Sequence, residues 1–482
     1  MKRQAATSKG IEKRLDDAHF SRVIDPRRAA SVVYPLPAIL NALVTAVVTG
    51  ARSLRQLEQR TVQIVKKLGS WKGLKKRIAD NTFSTLLPRL RLSGLLACLH
   101  RMVKAEHRRG NLKPTRLPVG TVAIDGKHVA TLHWHDLSCL LEAKQAKQAE
   151  QAKQAKQTKQ VEQVEQVEQV EQVEQDSAKR LEPTAENVAQ LRQLVSEQYP
   201  EAQLCVPDVG EPHLKLRVHT ATLVSSDAAV CIHQRPVPGH TNEIGAMPAL
   251  LDELKAVYGR TGLFQRITTD AGNTSLEVSG QIVGFGCDYF CQIKSNHGDL
   301  HAEAQRALGH RSKAQSQASY TDTQNGEVVT YYLWRSDLGE HGWLDWTHAR
   351  HLIRVQRIAE HSPTGKRTVG NRYYVLSQRG AALSPRSALT VSRAHWRCEN
   401  GTHWTADAEL MEDRRRLAWS RHPRGVLVTS ALRMMGLLIL AVTRQLSRLS
   451  YSKERPSWSQ VIQHYLLQLC DTILETEAFD TV

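Results

Sequence analysis

Three acidic residues in this chain have the chemistry and the local setting expected of ligands for divalent metal ions. Asp125 follows the apolar run 122–124 and precedes Gly126, which predicts a buried strand ending at the acid. Asp270 closes a second short run of the same kind, and Glu399 lies in a segment rich in His, Trp and Asn. Three hard oxygen donors from separate elements could hold a pair of Mg²⁺ ions, which stabilises the attacking and leaving oxygens at a phosphodiester.

Each acid also has a purely structural interpretation. An Asp before Gly is often only a turn residue, and a single Glu on a helix is usually solvated. The surroundings of Glu399 argue for more, because His395, Trp396, His403 and Trp404 all lie within five residues of it. If this segment is helical, residues four apart share a face, which predicts one stripe of His395, Glu399 and His403. The two tryptophans would form an adjacent stripe that anchors the helix in a core.

The elements that must position the acids can be read from the periodicity of the chain. Residues 214–238 alternate apolar and polar side chains around a Ser-Ser-Asp turn at 225–227, which predicts an antiparallel hairpin. A helix around residues 246–258 then leads into the strand that ends at Asp270. Residues 315–380 are rich in β-branched and aromatic residues, with several Arg and Lys interleaved. We therefore expect a strand, hairpin, helix, strand order with acids at the strand ends.

Four sequence segments resemble those of a known family. They are AIDGK at Ala123–Lys127, GHTNEIGAMPALLDEL at Gly239–Leu254, ITTDAGN through CDYFCQIKSNHGDL at Ile267–Leu300, and SRAHWRCENGTHWTADAELMED at Ser392–Asp413. Together they resemble the DDE transposases of bacterial insertion sequences, in particular the H-repeat-associated (Rhs-linked) kind. The last segment is the most specific, because it matches a signature that carries the third carboxylate of that family.

The resemblance implies an α/β fold: a ribonuclease H-like mixed sheet with a β-rich insertion, preceded by an all-helical N-terminal domain. It places the catalytic domain at 116–446 and the β-rich insertion at about 305–390. Asp125, Asp270 and Glu399 would be the catalytic residues and the ligands of Mg²⁺ or Mn²⁺, with two ions expected. The implied activity is cleavage and strand transfer of double-stranded DNA at the element ends and the target, by a homodimer on DNA.

Two other functions stay open. The chain departs from the family pattern at Cys398, where Ile is usual, and at Thr402, where Leu is usual. A relative that has lost catalysis but kept its DNA-binding surface would tolerate such changes. The second alternative is a zinc hydrolase built on His395, Glu399 and His403, or on His133, His135 and Asp136. Its spacing is unfavourable, since the familiar zinc helix sets two His four apart with the Glu adjacent to one of them.

The charge distribution points to a polyanionic partner. The chain has a formal net charge of +17 and a pI near 9.6, and residues 51–116 hold 17 Lys and Arg against three Asp and Glu. Helical apolar spacing from residue 34 onward predicts a helical, basic, DNA-binding domain at 31–115, after a loosely ordered basic segment at 1–30. The individual residues that we expect to contact DNA are Lys127, Lys294, His395, Arg414 and Arg415.

The remaining segments carry less functional information. Residues 142–175 repeat with period three, which cannot form a continuous apolar seam on a helix, so we predict a solvated, partly helical insert. A helical tail is predicted at 447–482. The eight Cys contain no CxxC pair, and no apolar run follows the charged start. The apolar stretch Met435–Val442 is too short to span a bilayer and predicts a buried helix. We expect a bacterial cytoplasmic protein that acts on the nucleoid and has no membrane partner.

Overall fold

The N-terminal quarter of the chain is helical. The computed structural model of the protein describes residues 2–68, 72–160, 181–324, 326–338, 344–362, 364–377, 383–413, 422–451 and 456–477. Its first five helices are α1 (Lys2–Ala18), α2 (Leu36–Val48), α3 (Leu54–Leu68), α4 (Asp80–Leu86) and α5 (Leu92–Arg108). Of these, α2 buries nearly every side chain along its length, as expected of a helix that is apolar all round.

The prediction of a loosely ordered segment at residues 1–30 is wrong for its described part. Helix α1 packs on α5, and Ile11, Leu15 and Ala18 are buried in that contact. These three residues are spaced three to four apart, so they share one face of the helix. The average composition of residues 1–30 is polar and does not indicate this apolar face. The buried Arg14 on the same helix pairs with Glu106 of α5 at 3.1 Å.

A large mixed sheet forms the centre of the molecule. Its strands are β1 (Thr121–His133), β2 (Ala202–Cys205), β3 (His213–Leu223), β4 (Val230–Pro236), β5 (Arg266–Thr269), β6 (Asp288–Ile293), β7 (Ala318–Gln324), β8 (Glu327–Asp337), β9 (His351–His361) and β10 (Arg367–Leu376). The order across the sheet is β2-β3-β1-β5-β6-β10-β9-β8-β7, and β4 also pairs with β3. The predicted mixed α/β architecture is therefore confirmed.

Parallel pairing is confined to the middle of this sheet. Strands β1, β5 and β6 run parallel, and they are flanked by antiparallel strands on both sides. The predicted hairpin forms between β3 and β4, and the four strands β7 to β10 make an antiparallel extension. Each parallel connection in the middle of the sheet contains a helix, as βαβ geometry requires.

The helices beyond α5 connect and cover the strands. They are α6 (Trp134–Gln160), α7 (Ala185–Gln198), α8 (Glu243–Tyr258), α9 (Leu276–Gly284), α10 (Gly298–Leu308), α11 (Pro385–Ala394), α12 (Trp404–Ala408), α13 (Pro423–Tyr451) and α14 (Trp458–Glu477). Helix α6 runs into the period-three tract as far as residue 160, and residues 161–175 of that tract lie outside the described residues.

Helix α13 joins the two ends of the chain into one core. It packs against α2 and α5 of the N-terminal helices and against β4 and β1 of the sheet, while α14 packs on α3. Its segment Pro423–Leu446 is long and apolar enough to cross a membrane, yet its most apolar stretch is wholly buried by the protein, as predicted for Met435–Val442. The helix also crosses the boundary predicted at residue 446. The N-terminal helices and the sheet share one apolar cluster, and the division into domains stays a prediction.

Gly436 of α13 lies directly against α2, with no space for a larger side chain. A Cβ placed there would lie 2.9 Å from the Cβ of Val47, so Gly436→Ala forces two packed helices apart. We expect a loss of about 1–3 kcal/mol in the free energy of unfolding, the usual cost of overpacking a filled core. Urea denaturation of the full chain measures it. Gly284→Ala is the matched control, because that helical glycine faces open space, and an equal loss in both variants would contradict the prediction.

Candidate active site

The two aspartates lie side by side at the edge of the sheet where β5 ends. The prediction that the first strand ends at Asp125 is wrong, because β1 continues past the acid to His133 through its pairing with β3. Ile124 of β1 is the register partner of Thr269 of β5, so Asp125 and Asp270 are the next residues along two parallel neighbours. The carboxylate of Asp270 is fixed, because Oδ1 accepts hydrogen bonds from the Asn273 backbone N–H at 3.0 Å and from its side-chain amide at 2.9 Å. Strand pairing alone therefore brings together two acids that are 145 residues apart in sequence.

Glu399 is presented to this edge by an unusual turn of helix. Residues Cys398–His403 form a π-helix between α11 and α12, a distortion that is often found at functional sites. The buried Cys398 packs over β1, with Sγ 3.9 Å from Oδ2 of Asp125. Glu399 itself is partly exposed, at the rim of the site. All three candidate acids are thus drawn to one region by β1, β5 and the π-helix.

The predicted stripe on one helix face is wrong, and the π-helix is the physical reason. A turn with more than four residues shifts the phase of the side chains, so His395 and His403 are buried while Glu399 points outward. The predicted tryptophan stripe fails for the same reason. Trp404 is 54% exposed, and Trp396 is only partly buried.

Two of the candidate acids, Asp125 and Glu399, are perturbed by burial and by the negative charges around them. Burial raises the pKa of Asp125 to about 7, with further contributions from the negative charges of Glu399, Asp270 and Glu243. The pKa of Glu399 is also raised, by partial burial and by Asp270, against the opposing effect of Arg372. Like charges that disfavour each other's ionisation must lie within a short distance. The site is therefore a negatively charged region that a bound cation would stabilise.

Three histidines line the site in neutral form. His395 Nδ1 lies 2.9 Å from the hydroxyl of Thr268, His403 Nε2 lies 2.7 Å from that of Thr220, and His219 Nε2 lies 3.0 Å from Asn273 Oδ1. Burial lowers the pKa of His219 and His395 to about 4 and that of His403 to about 3. At neutral pH these rings therefore orient neighbours without neutralising the acids.

The structure does not support either of the two zinc sites that the sequence suggested. His395 bonds Thr268 through Nδ1, and His403 bonds Thr220 through Nε2. Within the described ranges, no group of three or more His, Cys, Asp or Glu side chains is spaced to hold a metal ion, and this covers His133, His135 and Asp136. The side chains as they stand give a zinc hydrolase no support.

Two of the predicted DNA contacts are wrong. Lys127 is 6% exposed and forms ion pairs with Asp407 and Glu412, so it cannot reach a phosphate. His395 is 3% exposed and bonds Thr268. Lys294 lies exposed at the end of β6, where its contact with DNA stays a prediction. Arg414 and Arg415 lie outside the described residues.

A basic cleft extends from Glu399 along the antiparallel extension of the sheet. It has a volume of about 660 Å³ and is lined by Arg357, Arg372 and Arg393 together with Tyr331, Trp396 and Asn400. The Arg372 guanidinium lies 4.1 Å from the ring centroid of Trp396, which is the geometry of a cation–π contact. Arg354, one of the basic residues interleaved in the β-rich segment 315–380, is instead buried and donates to the carbonyls of Leu308 and Gly309.

Glu243, Asp407 and Glu412 were missed as parts of the site. A side chain on Gly126 would collide with the Glu243 carboxylate, which therefore lies against the backbone next to Asp125. The signal was present in the quoted segments: Glu243 belongs to the Asn-Glu-Ile of the second, and Asp407 and Glu412 to the last. These segments contain more acidic residues than the three candidate metal ligands, and the additional acids contact Gly126 and Lys127 beside Asp125.

Part of the chain matches a known domain family. Residues 213–427 match the family model described as "Transposase DDE domain", which includes Asp270 and Glu399 and begins after Asp125. Among solved structures, the chain is similar to the piggyBac transposase in a synaptic complex with hairpin DNA, at 10% identity and a TM-score of 0.39, covering 98% of this chain and 81% of that one. That structural similarity is too weak to carry an argument.

The curated relatives are distant and are matched over about half of their length. "Putative protein YbfL" of Escherichia coli K12 is 27% identical over 211 residues, 41% of this chain and 52% of the relative. "Putative transposase YncI" of E. coli O157:H7 is 24% identical over 46% of this chain and 56% of the relative. "H repeat-associated putative transposase YhhI" of E. coli K12 is 26% identical over 41% and 52%. The resemblance predicted from the sequence motifs is thereby confirmed: residues 213–427 match the transposase DDE domain model, and the similar proteins include two named as putative transposases, one of them H repeat-associated.

Proposed function

We propose that this protein is a DDE-type transposase that cleaves double-stranded DNA at the ends of an insertion sequence and joins the freed strands to target DNA. The observation that carries the proposal is the placement of Asp125 and Asp270 on adjacent parallel strands, with Glu399 close enough to raise the pKa of Asp125. The transposase DDE domain match over residues 213–427 supports the same function.

The proposal includes a ribonuclease H-like catalytic fold. Strand β1, the β3–β4 hairpin, helix α8 and strand β5 follow the order that the sequence motifs imply, with acids at the ends of β1's buried run and of β5. The antiparallel strands β7 to β10 lie just before α11 and the π-helix, which supports their role as the β-rich insertion.

The site chemistry fits Mg²⁺ or Mn²⁺, and two ions are proposed. The donors are carboxylate oxygens, which hard divalent cations prefer, and their mutual repulsion would be relieved by a cation. Asp125, Asp270 and Glu399 would hold the ions, although their side chains do not form a metal-binding group as they stand in the described part of the chain. Bound ions would polarise the phosphodiester and stabilise the attacking and leaving oxygens.

The protein's own side chains would prepare this site. Asn273 holds the Asp270 carboxylate in one orientation, and the neutral His403 lies 3.7 Å from the Asp125 carboxylate without cancelling its charge. The Arg372 and Trp396 pair at the cleft would contact DNA beside the scissile phosphate, since an arginine and an aromatic face suit a nucleic-acid backbone and its bases. We propose that the protein acts as a homodimer on DNA.

The N-terminal helices are proposed to bind duplex DNA through its phosphates. The exposed Lys75 and Lys76 precede α4 in the basic block, so the double variant Lys75→Glu/Lys76→Glu should weaken binding to any duplex sequence. We expect the slope of log affinity against log salt to fall by about 2, roughly one for each lysine that no longer reaches a phosphate. Fluorescence anisotropy with full-length protein measures it. Arg192→Glu on α7 is the control, and equal slopes in all proteins would count against the proposal.

A relative without catalysis is the second candidate. It is favoured by Cys398, which stands where the family usually has Ile, and by the lack of a finished metal-binding group in the described part of the chain. An assay of strand cleavage on the element's own end sequences, with Mg²⁺ or Mn²⁺, separates the two. Cleavage supports the transposase, whereas salt-sensitive DNA binding without cleavage by either ion supports the decayed relative.

A further inference from the structure

We propose that Lys127 is a positioning residue that ties the strand bearing Asp125 to the segment that follows Glu399, and so fixes the spacing of two carboxylates. The inference rests on the proposed function for its purpose. It replaces the DNA-contact role that the sequence suggested for Lys127.

The ammonium group of Lys127 is fully committed to one segment of the chain. Its Nζ lies 2.8 Å from Asp407 Oδ1, 2.7 Å from Glu412 Oε2 and 3.4 Å from the backbone carbonyl of His403. A lysine has three donors, and these three acceptors match that number. The Lys127 side chain is only 4% exposed, and its bonds to Glu412 and to the His403 carbonyl are buried, whereas the Asp407 side chain is 33% exposed.

All three acceptors follow Glu399 closely in the sequence. His403 is the last residue of the π-helix, Asp407 lies on α12, and Glu412 follows α12. On the other side of the contact, Lys127 is two residues from Asp125 on β1, and residues two apart in a strand project to the same face. The contact therefore links one carboxylate's strand directly to the other's helical segment, across 280 residues of sequence.

The backbone around Glu412 is arranged to reach Lys127. Met411, the preceding residue, has a φ of 53°, a left-handed conformation that is strained for a residue with a side chain. The Glu412 N–H then donates to the Ala406 carbonyl at 3.0 Å, and Arg433 of α13 lies 3.8 Å from its other carboxylate oxygen. Strain of this kind persists only where surrounding contacts determine the conformation.

Stability alone does not explain a buried ionic network. Apolar residues of similar volume are often as stable as a buried ion pair, because the charges must be desolvated. Directional bonds instead fix geometry, and the π-helix needs such fixing, since its wide turn is a distortion of the regular helix. Cys398, next to Glu399, packs in one apolar cluster with Ala123 of β1. The bonds of Lys127 add a second contact between β1 and the segment that contains Glu399, on the other side of Asp125 along the strand.

The test compares Lys127→Met, Lys127→Arg and Asp407→Asn with wild-type protein and with Arg14→Met. Arg14 also forms a buried ion pair with an acid, Glu106, but it is remote in the N-terminal helices, so Arg14→Met controls for general destabilisation. Two quantities are measured on the full chain: the affinity for Mn²⁺ alone, by calorimetry, and amide hydrogen exchange in residues 398–412 without metal.

We expect Lys127→Met to weaken Mn²⁺ binding by about tenfold or more, the usual effect of losing a residue that orients metal ligands. Exchange in 398–412 should accelerate in Lys127→Met more than elsewhere in the chain. Lys127→Arg should lose less Mn²⁺ affinity and less protection from exchange than Lys127→Met. Asp407→Asn should change both quantities in the same direction but by less, and Arg14→Met should keep both near their wild-type values. If Lys127→Met does not fold, the milder Asp407→Asn carries the same comparison.

The outcomes separate this inference from the proposed function. Wild-type protein that binds no Mn²⁺ would contradict the metal site, and the exchange measurement would then decide the role of Lys127. Exchange in 398–412 that is the same in Lys127→Met, Asp407→Asn and wild type would overturn the positioning role, whether or not the protein cleaves DNA.

Discussion

Replacing Asp270 by Asn or Glu399 by Gln is expected to reduce strand cleavage by about 10³-fold or more, and replacing Asp125 by Asn should do the same. Several kcal/mol of transition-state stabilisation depend on a correctly held divalent cation, and each amide removes a charged ligand while keeping the side-chain shape. Duplex DNA binding should be nearly unchanged, because these substitutions remove no positive charge from the surfaces that are proposed to contact phosphates. Cleavage of end-sequence DNA and anisotropy on the same preparations measure both effects.

Glu277→Gln provides the matched control for these variants. It is an exposed acid on α9, a few residues beyond Asp270, so it shares the neighbourhood without facing the other carboxylates. Cleavage that survives in any one of the three site variants at close to the wild-type rate would remove that residue from the proposed catalytic set. Loss of cleavage in the control would mean that the assay reports general charge rather than the site.

Metal-free protein carrying Asp125→Asn is expected to be more stable than wild type at pH 8 and similar to it near pH 4. The pKa of Asp125 is raised from 3.8 to about 7 in the folded protein, so the folded state holds a proton that the unfolded chain releases between those values. This proton binding contributes to the free energy of unfolding of wild type in full below about pH 4, and the contribution is lost as the pH rises through 7. The ionised acid then costs up to about 4 kcal/mol, which the neutral amide avoids.

Chemical denaturation with EDTA at the two pH values measures this difference. Adding Mg²⁺ at pH 8 should stabilise wild type but not Asp125→Asn, since the ion binds the ionised acid that the variant lacks. The Glu277→Gln variant should show neither effect. If Asp125→Asn is no more stable than wild type at pH 8, the pKa of Asp125 is not raised in the folded protein.

The sequence predicted the parts of the site that depend on local pattern. Asp125 and Asp270 each end a short apolar run, and parallel pairing of such runs places their ends together without further information. The position of Glu399 in a helical segment was also predictable. Its orientation was not, because the π-helix depends on packing against β1, which no local periodicity encodes.

The role of Lys127 shows a second limit. Its partners lie 280 and 285 residues away, and a lysine beside a candidate acid has the same appearance in the sequence whether it faces solvent or a buried acid. Helix α1 shows the converse, since its few apolar residues lie on one face within a segment whose average composition is polar. Composition describes a whole segment, but burial depends on the face.

The packing of α13 on α2 has a consequence during synthesis. Helix α2 is complete at residue 48, yet the part of α13 that covers it lies near residue 436. At roughly 5–20 residues per second, the ribosome needs about 20–80 s to make the intervening chain. For that interval the face of α2 that packs on α13 lacks its native cover, although α3 already packs on the same helix. The nascent protein should therefore depend on a chaperone, and products truncated before α13 should be prone to aggregate.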